Sequence, residues 1–315
     1  MSGTTANGYY IGLDLGGTQI KGARFSYNGT PEAEFKNPSK ADESLDAIIA
    51  AVHTTIKNLS RDGELYGLGI GAAGLIDTAT GRIITSPNIP ILNGIDLKAR
   101  IKNDLDGVPM HIMNDANAAA LGEYFSGAGQ HAKSMFLLTL GTGIGGGFII
   151  NGQLWEGAAG IGAEVGHICV QADGPLCHCG ARGCLEAFIS AWALSRDAEQ
   201  LARSAPDSPI AALCDFAPHS LAKLAIEGDA QARALWENAA TFLGIGIANL
   251  MNLLNPEIIV LAGGLCGAGD LLYEPARRAW EKQAYDAAHT STSVEFGDLG
   301  EWAGARGAVQ VYLQK

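Results

Sequence analysis

A strand, a glycine turn and a return strand occur twice in this chain, and these two hairpins constrain its fold most strongly. The first runs over residues 9–15, turns at Gly16-Gly17-Thr18 and returns over residues 20–25. The second runs over residues 136–140, turns at Gly141-Thr142-Gly143 and returns over residues 148–150. Glycine suits such turns because it lacks Cβ. The pattern therefore predicts a duplicated α/β fold in which each half begins with a hairpin and continues with helices.

Further elements follow from apolar periodicity and from helix start and stop signals. Helices are predicted over residues 44–59, 116–126 and 231–255, the last ended by Pro256. A strand is predicted over residues 258–262, running into Gly263-Gly264, and an irregular surface segment over residues 204–219.

Charge and composition restrict the class of partner. The net charge is −12, with 47% hydrophobic and 17% charged residues, which is typical of a globular protein and not of a disordered one. An acidic chain lacks the clustered Lys and Arg that nucleic acid requires. Residues 1–10 contain no basic residue, and the apolar runs are far shorter than the roughly 20 residues that span a bilayer. We expect a cytoplasmic protein with small-molecule partners and neither nucleic-acid nor membrane binding.

The glycine turns are candidate phosphate-binding loops. Gly141, Gly143 and Gly146 match the dinucleotide fingerprint, but that fingerprint requires a strand that turns into a helix, and here a strand follows. A Rossmann dehydrogenase is therefore excluded, and no P-loop motif is present. Either turn alone is better explained as an ordinary hairpin. Two such turns, whose backbone N–H groups could approach an anion, together favour ATP.

Three polar residues at strand ends each have a functional and a structural interpretation. Asp14 lies in an apolar run, where an unpaired carboxylate is costly, so it either faces a cation such as Mg²⁺ or caps the turn at Gly17 or Thr18. Asn114-Asp115 either caps the following helix or supplies Asp115 as a general base for a substrate hydroxyl.

The most specific pattern is a Cys₃His set. His167, Cys177, Cys179 and Cys184 match a closed tetrahedral zinc site, and nearby glycines supply the turns that favour this over chance clustering. His178 is an alternative ligand to His167. Glu164 and Glu186 flank the set and are free to face a polyhydroxylated substrate. The other three cysteines are predicted to be packed small hydrophobes: Cys169, Cys214 and Cys266.

Over nearly its whole length the chain resembles the ROK family of sugar kinases and sugar-responsive repressors, and most of all its bacterial glucokinase branch. The resemblance rests on residues 14–18, 114–123 and 140–147 and on the Glu164 to Glu186 pattern. It implies an actin-like (ribonuclease H-like) ATPase fold with two α/β domains and an interdomain cleft. The small domain is expected over residues 1–115 plus a returning helix at 303–315. The large domain is expected over 116–302, with the zinc segment at 167–184.

The resemblance also implies roles for individual residues. Asp115 corresponds to the catalytic base, and zinc holds His167 while the ring meets the sugar. Sugar contacts fall on Asn88, Asn114, Glu164, His167 and Glu186. Phosphate and Mg²⁺ contacts fall on Asp14, Gly16, Gly17, Thr18, Thr142 and Gly143, and the adenosine segment on Gly263 and Gly264.

The implied activity is ATP-dependent phosphorylation of a hexose at its 6-hydroxyl, with glucose as the expected substrate. An N-acetylmannosamine or N-acetylglucosamine kinase is the alternative, because no motif here fixes the contacts around C2. A non-catalytic sugar sensor is disfavoured, since the family's repressors carry a helix-turn-helix domain ahead of a first strand that here begins near Tyr9. The resemblance also implies a homodimer.

Overall fold

The computed structural model describes residues 7–102, 105 and 107–314. Residues 1–6, 103, 104, 106 and 315, all assigned above to the small domain, lie outside this part of the chain. The chain divides into two compact units. The described residues up to His131, Gly147–Gly162 and those from Asp298 onward form the first unit, and Ala132–Gly146 with Ala163–Gly297 form the second.

A five-stranded sheet organises the first unit. Its order is β3-β2-β1-β4-β7, with β2 antiparallel to β1 and β3, and β4 parallel to β1 and β7. The strands are β1 (Gly8–Leu15), β2 (Gln19–Ser26), β3 (Pro31–Pro38), β4 (Glu64–Ala72) and β7 (Met110–Asn114). A separate two-stranded ribbon consists of β5 (Leu75–Asp77) and β6 (Arg82–Thr85).

Helices cover this sheet. They are α1 (Leu45–Leu59), α2 (Leu97–Ile101), α3 (Asp115–Ser126), α10 (Ala303–Ala308) and α11 (Gln310–Leu313). Helix α1 begins where Ser44 accepts a hydrogen bond from the amide of Ala47 at 3.1 Å. Ile48, Val52 and Ile56 recur every four residues and are buried, so one face of α1 packs on the core of the first unit.

The C-terminal segment packs directly on the backbone of the sheet. A Cβ on Gly12 would lie 1.9 Å from the carbonyl oxygen of Ala305 in α10, so β1 requires glycine there. The single helix expected from residue 303 is instead two short helices with Val309 between them. The second of them carries Tyr312, whose hydroxyl lies 3.0 Å from the carbonyl oxygen of Pro109 and 3.2 Å from that of Leu68 in β4, so the C-terminal helix packs against the strands of the sheet.

A second five-stranded sheet repeats the strand order of the first. Its strands are β8 (Ser134–Leu140), β9 (Ile144–Ile150), β10 (Gln153–Leu154), β11 (Ile258–Ala262) and β12 (Ser293–Phe296), and the sheet order is β10-β9-β8-β11-β12. In both sheets the third, second, first, fourth and fifth strands lie side by side. The duplicated α/β fold predicted from the two hairpins is confirmed. The division between the units falls within β9, after Gly146.

The helices of the second unit are α4 (Glu186–Ile189), α5 (Ala191–Ser204), α6 (Pro218–Ile226), α7 (Ala230–Leu254), α8 (Asp270–Gln283) and α9 (Asp286–Ser291). Helix α7 ends at Asn255, which adopts the left-handed conformation with φ 41° ahead of Pro256. The three predicted helices and the strand at 258–262 agree with the structure to within one residue at each end. No helix in the described part of the chain is both long and apolar enough to cross a bilayer.

The observed division between the units differs from the expected boundary after residue 115. Residues 116–131 group with the first unit because α3 packs tightly along α10: a Cβ on Gly122 would lie 2.2 Å from the carbonyl oxygen of Ala303. Residues 147–162 also group with it, and a Cβ on Gly147 would lie 2.5 Å from the Cβ of Ala120. The expectation was based on sequence order, which does not record these contacts.

Candidate functional site

The turn between β1 and β2 is held from outside by one buried serine. Ser39 donates its hydroxyl to the carbonyl oxygen of Gly17 at 2.8 Å and its amide to that of Thr18 at 3.0 Å. The amide of Gly16 donates to the carbonyl oxygen of Gln19 at 3.0 Å. Gly17 and Thr18 are themselves exposed. The turn is therefore fixed in shape while its outer backbone and the Thr18 hydroxyl face solvent.

Asp14, at the end of β1, has a cation beside it. Burial, together with the negative charge of Asp115, raises the pKa of Asp14 to about 6, and the ammonium group of Lys21 opposes that rise. Lys21 is the register partner of Asp14 on β2, and it also pairs with Glu301 at 3.9 Å. Among the hydrogen bonds of the described residues none joins Asp14 to Gly17 or Thr18, so the capping interpretation of Asp14 is wrong.

The sequence left open whether the Asn114-Asp115 pair caps helix α3 or supplies a general base. The side-chain oxygen of Asn114 accepts hydrogen bonds from the amides of Ala116 at 2.9 Å and Asn117 at 3.1 Å, so Asn114 is the N-cap of α3. Its amide nitrogen donates to the carbonyl oxygen of Gly74 at 3.0 Å. Asp115 is consequently not needed as the cap.

Burial raises the pKa of Asp115, and its hydrogen bond from the amide of Ala116 at 2.9 Å partly offsets that rise. Two carboxylates, Asp14 and Asp115, thus lie at the ends of β1 and β7, close enough for the charge of one to perturb the other. Perturbed carboxylates of this kind are typical of sites for proton transfer or cation binding. Asn88 lies in the same unit on an exposed bend, with its carbonyl oxygen 3.4 Å from where a Cβ of Gly17 would be.

The second glycine turn, between β8 and β9, is organised by Glu186. One carboxylate oxygen of Glu186 accepts a hydrogen bond from the amide of Ile144 at 2.9 Å, and a Cβ on Gly143 would lie 2.5 Å from that oxygen. The amide of Gly141 donates to the carbonyl oxygen of Gly143 at 3.0 Å. Thr142 is exposed at the tip of the turn. Glycine at 143 therefore allows the acidic side chain to reach the turn.

Gly263 and Gly264 follow β11 in the same unit. Gly263 has φ 99°, and a Cβ on it would lie 2.4 Å from the carbonyl oxygen of Leu140 at the end of β8. Gly264 starts a 3-10 helix, Gly264–Ala268, and a Cβ there would meet nothing within 4 Å. Gly263 is thus required by packing, whereas Gly264 leaves an open surface.

The four expected metal ligands lie together. Ligand atoms of His167, Cys177, Cys179 and Cys184 are all within 4.8 Å of one another. The sulfur of Cys177 is 3.8 Å from Nδ1 of His167, and the sulfurs of Cys179 and Cys184 are 3.6 Å apart. Tetrahedral zinc geometry requires about 3.6 Å for a sulfur and a nitrogen and about 3.8 Å for two sulfurs. The donor set therefore fits a zinc ion.

Burial and the neighbouring Cys179 and Cys177 raise the pKa of the Cys184 thiol to about 12. A metal bound at the cluster would have to offset this cost, because cysteine binds metals as the thiolate. His178 stacks on Trp192 with ring centroids 4.1 Å apart and is not part of the cluster, which decides the choice between the two histidines. The second oxygen of Glu186 lies 3.8 Å from the sulfur of Cys177, linking the cluster to the second glycine turn. Glu164 immediately precedes the 3-10 helix Val165–His167 and is exposed.

The prediction that the remaining cysteines pack as small hydrophobes is wrong for two of them. Cys169 and Cys214 are exposed, and Cys266 is partly buried. The prediction used residue type alone, and exposure depends on which side of a loop faces the protein.

Three polar residues with structural roles were missed: Lys21 and Ser39 beside the first glycine turn, and Glu123, which accepts hydrogen bonds from the amides of Ala128, Asp298 and Leu299. The register of the first hairpin places residue 21 opposite residue 14, so counting back from the turn could have identified Lys21. Ser39 and Glu123 act through hydrogen bonds to distant backbone, and the sequence contains no signal for these.

Comparison with known proteins is consistent with this geometry. The ROK family matches residues 10–315. A glucokinase from Halalkalibacterium halodurans is 36% identical over 311 residues, covering 95% of this chain and 93% of that protein. A glucokinase from Thermotoga maritima is 33% identical, covering 97% of each. A structure of a ROK family glucokinase from Streptomyces griseus in complex with glucose and AMPPNP superposes with a TM-score of 0.82 at 32% identity, covering 98% of this chain and 100% of that one.

Proposed function

Because the chain belongs to the ROK family, we propose that it is a sugar kinase that transfers the γ-phosphoryl group of ATP to the 6-hydroxyl of glucose. Its fold is the actin-like ATPase fold of the ROK sugar kinases, with two α/β units of equal strand order. Glucokinases aligned over nearly the whole chain support both the reaction and the hexose.

The observation that carries the proposal is the half-buried carboxylate of Asp115 at the end of β7. Asn114 alone provides the N-cap of α3, so helix formation does not account for an acidic group at position 115. A carboxylate partly shielded from water at the end of a strand, with a raised pKa, is a strong proton acceptor once it is ionised. We assign to Asp115 the removal of the proton from the sugar 6-hydroxyl as that oxygen attacks phosphorus.

Asp14 is the residue that we assign to the metal of the nucleotide. Its ionised form is disfavoured by burial and by Asp115, and a cation reverses that cost. Mg²⁺, when bound, neutralises charge that develops on the transferred phosphoryl group. Lys21 supplies part of the same compensation from within the chain, because it lowers the pKa of Asp14.

Both glycine turns are assigned to the phosphates. The exposed backbone of Gly16, Gly17 and Thr18 is fixed in shape by Ser39, and fixed amide groups bind an anion without first having to be ordered. Thr142 and Gly143 form the corresponding turn of the second unit, held by Glu186. The open surface at Gly264, following Gly263, suits the adenosine.

Five side chains are assigned to the sugar: Asn88, Asn114, Glu164, His167 and Glu186. Asn114 uses one of its two amide hydrogens on Gly74, which leaves the second for a sugar hydroxyl. His167 directs Nδ1 toward the cysteines, so its Nε2 is the nitrogen that would meet the substrate. Zinc, when bound, would fix the tautomer and orientation of this ring and so couple metal loading to sugar affinity.

The test is ADP release by the purified protein with Mg-ATP on glucose, mannose, N-acetylglucosamine and N-acetylmannosamine in parallel. Coupling to a dehydrogenase specific for glucose 6-phosphate identifies the position of transfer. We expect glucose to give the highest kcat/KM and a 6-phosphate product. A preference for an N-acetylated sugar would overturn the substrate, and no turnover on any sugar by zinc-replete protein would overturn the kinase assignment.

A homodimer is also proposed, from the resemblance to the family alone. Sedimentation equilibrium with and without glucose tests it directly, and a monomer mass at micromolar concentration would contradict it.

A further inference from the structure

Cys169 is an exposed thiol outside the four-residue metal cluster. It is nevertheless directly opposite one of the four ligands, since Cys169 and Cys184 form an isolated antiparallel bridge. The two differ sharply in environment, because Cys184 is 1% exposed. An exposed cysteine is thus paired with a buried one.

The hydrogen bonds around this bridge define its geometry. The amide of Val170 donates to the carbonyl oxygen of Gly183 at 2.8 Å, and the amide of Leu185 donates to that of Ile168 at 3.0 Å. These bonds flank the two cysteines instead of joining them, which is the pattern of the non-hydrogen-bonded antiparallel pair. Opposite Cα atoms in such a pair lie about 4.5 Å apart, and disulfides span Cα separations of about 4.4–6.8 Å.

Gly183 leaves room beside this pair. A Cβ on Gly183 would lie 3.4 Å from the sulfur of Cys169, so the outer thiol already lies against the residue that precedes Cys184. Exposed side chains exchange rotamers on a fast timescale, so the Cys169 sulfur can turn about χ1 in search of its partner.

We propose that Cys169 is an oxidation site for peroxide and that its oxidised sulfur forms a disulfide with Cys184, which removes that ligand from the metal cluster. The inference rests on the proposed metal site only for its consequence, since the disulfide depends on the bridge alone.

The reaction balances in two steps. The thiol of Cys169 is oxidised by hydrogen peroxide to a sulfenic acid, and one water is released. The sulfur of Cys184 then attacks the sulfenic sulfur, the S–S bond forms as the S–O bond breaks, and the departing hydroxide takes up a proton as a second water. Two thiols are oxidised and one peroxide is reduced. The cluster would keep three of its four ligands, which would weaken its hold on a bound ion and loosen the anchoring of His167.

A competing disulfide lies within the cluster itself. The sulfurs of Cys179 and Cys184 are 3.6 Å apart, so direct oxidation of the cluster would join these two and leave Cys169 unchanged. The proposal requires a disulfide between Cys169 and Cys184. Peptide mapping distinguishes it from a disulfide between Cys179 and Cys184.

The experiment treats the purified full-length protein with hydrogen peroxide. Zinc release is followed with a chromophoric indicator, and disulfides are mapped by differential alkylation and mass spectrometry. Cys169→Ser is the test variant, and Cys214→Ser is the matched control because Cys214 is also exposed but lies outside the cluster. We expect a peptide joining Cys169 to Cys184 and release of one zinc per chain. Cys169→Ser should slow the release about tenfold or more, since the accessible thiol is the one that reacts first, and Cys214→Ser should have no effect.

A disulfide between Cys179 and Cys184, or equal release rates in the Cys169→Ser variant and the unmodified protein, would overturn the proposal. If the purified protein holds no zinc, the proposed metal site is wrong. Peptide mapping would still show whether Cys169 and Cys184 form a disulfide, so the two proposals are tested separately.

Discussion

Replacing Asp115 by Asn removes the proposed base with little change in shape. The Asn oxygen can still accept the hydrogen bond from the amide of Ala116, and Asn114 still caps α3. The substitution therefore leaves the helix intact and changes only the acceptor of the proton. A positioned general base contributes about 10²- to 10⁴-fold to rate, which corresponds to about 3–5 kcal/mol in the activation free energy. We expect kcat to fall by that factor while the glucose Kd changes by less than about threefold.

Asp115→Asn is also expected to change the pH dependence of the free energy of unfolding. Burial raises the pKa of Asp115, and burial together with the negative charge of Asp115 raises the pKa of Asp14 to about 6. A raised carboxyl pKa means that the native state holds the proton more tightly than the unfolded chain, so native stability falls as the pH rises through the interval between the two pKa values. For Asp14 the shift from 3.8 to about 6 is worth about 3 kcal/mol at most, and Asp115 causes part of it.

Asp115→Asn should therefore be more stable than the unmodified protein at pH 8, and this advantage should shrink as the pH falls through about 6, where Asp14 takes up its proton. Urea unfolding at several pH values measures this, and calorimetry with glucose measures binding. The matched control is Asp229→Asn, because Asp229 caps α7 through the amide of Ala232 at 2.8 Å and should leave kcat unchanged. A kcat for Asp115→Asn within about tenfold of the unmodified enzyme would refute the assignment of Asp115 as the base.

Three further predictions follow from the described contacts. Glu123→Ala removes the acceptor of three backbone amides from a fully buried site and should lower the free energy of unfolding by about 2–4 kcal/mol; an unchanged urea midpoint would contradict this. Lys21→Met removes the cation that lowers the pKa of Asp14, so the acidic limb of the kcat profile should move to higher pH at limiting Mg²⁺, and an unmoved or lowered limb would argue against this pairing. Gly12→Ala places a Cβ 1.9 Å from the carbonyl oxygen of Ala305, so it should displace the C-terminal helix and lower the melting temperature, whereas a wild-type melting temperature would show that the helix is not held there.

Local chemistry in the sequence identified most of the elements and much of the candidate site. The Cys₃His set could be predicted from the sequence because its four ligands fall within 18 residues of chain and are separated by glycine turns. The hairpins could also be predicted from local sequence, since a glycine turn between two apolar runs leaves few alternative structures for the segment. The equal strand order of the two sheets then follows from two hairpins of the same kind, each continued by a parallel strand.

The sequence could not show which residue of Asn114-Asp115 caps the helix and which is free to act as a base. Both residue types favour the N-cap, and only the backbone path decides which side chain turns back to the amides. The sequence also could not show which unit contains α3. Helix α3 packs against α10, and these two segments are far apart in the chain.

By itself, the sequence determined the kinds of residue at each turn, the donor set of the proposed metal site and the family of the chain, since all of these depend on short spacings along the backbone. The tertiary structure alone decided that Lys21 compensates Asp14, that Glu123 holds the segment at Asp298 and that Cys169 is opposite Cys184. These pairings depend on strand register and on packing between distant segments. Their energies arise only when the chain is folded, so no local pattern records them.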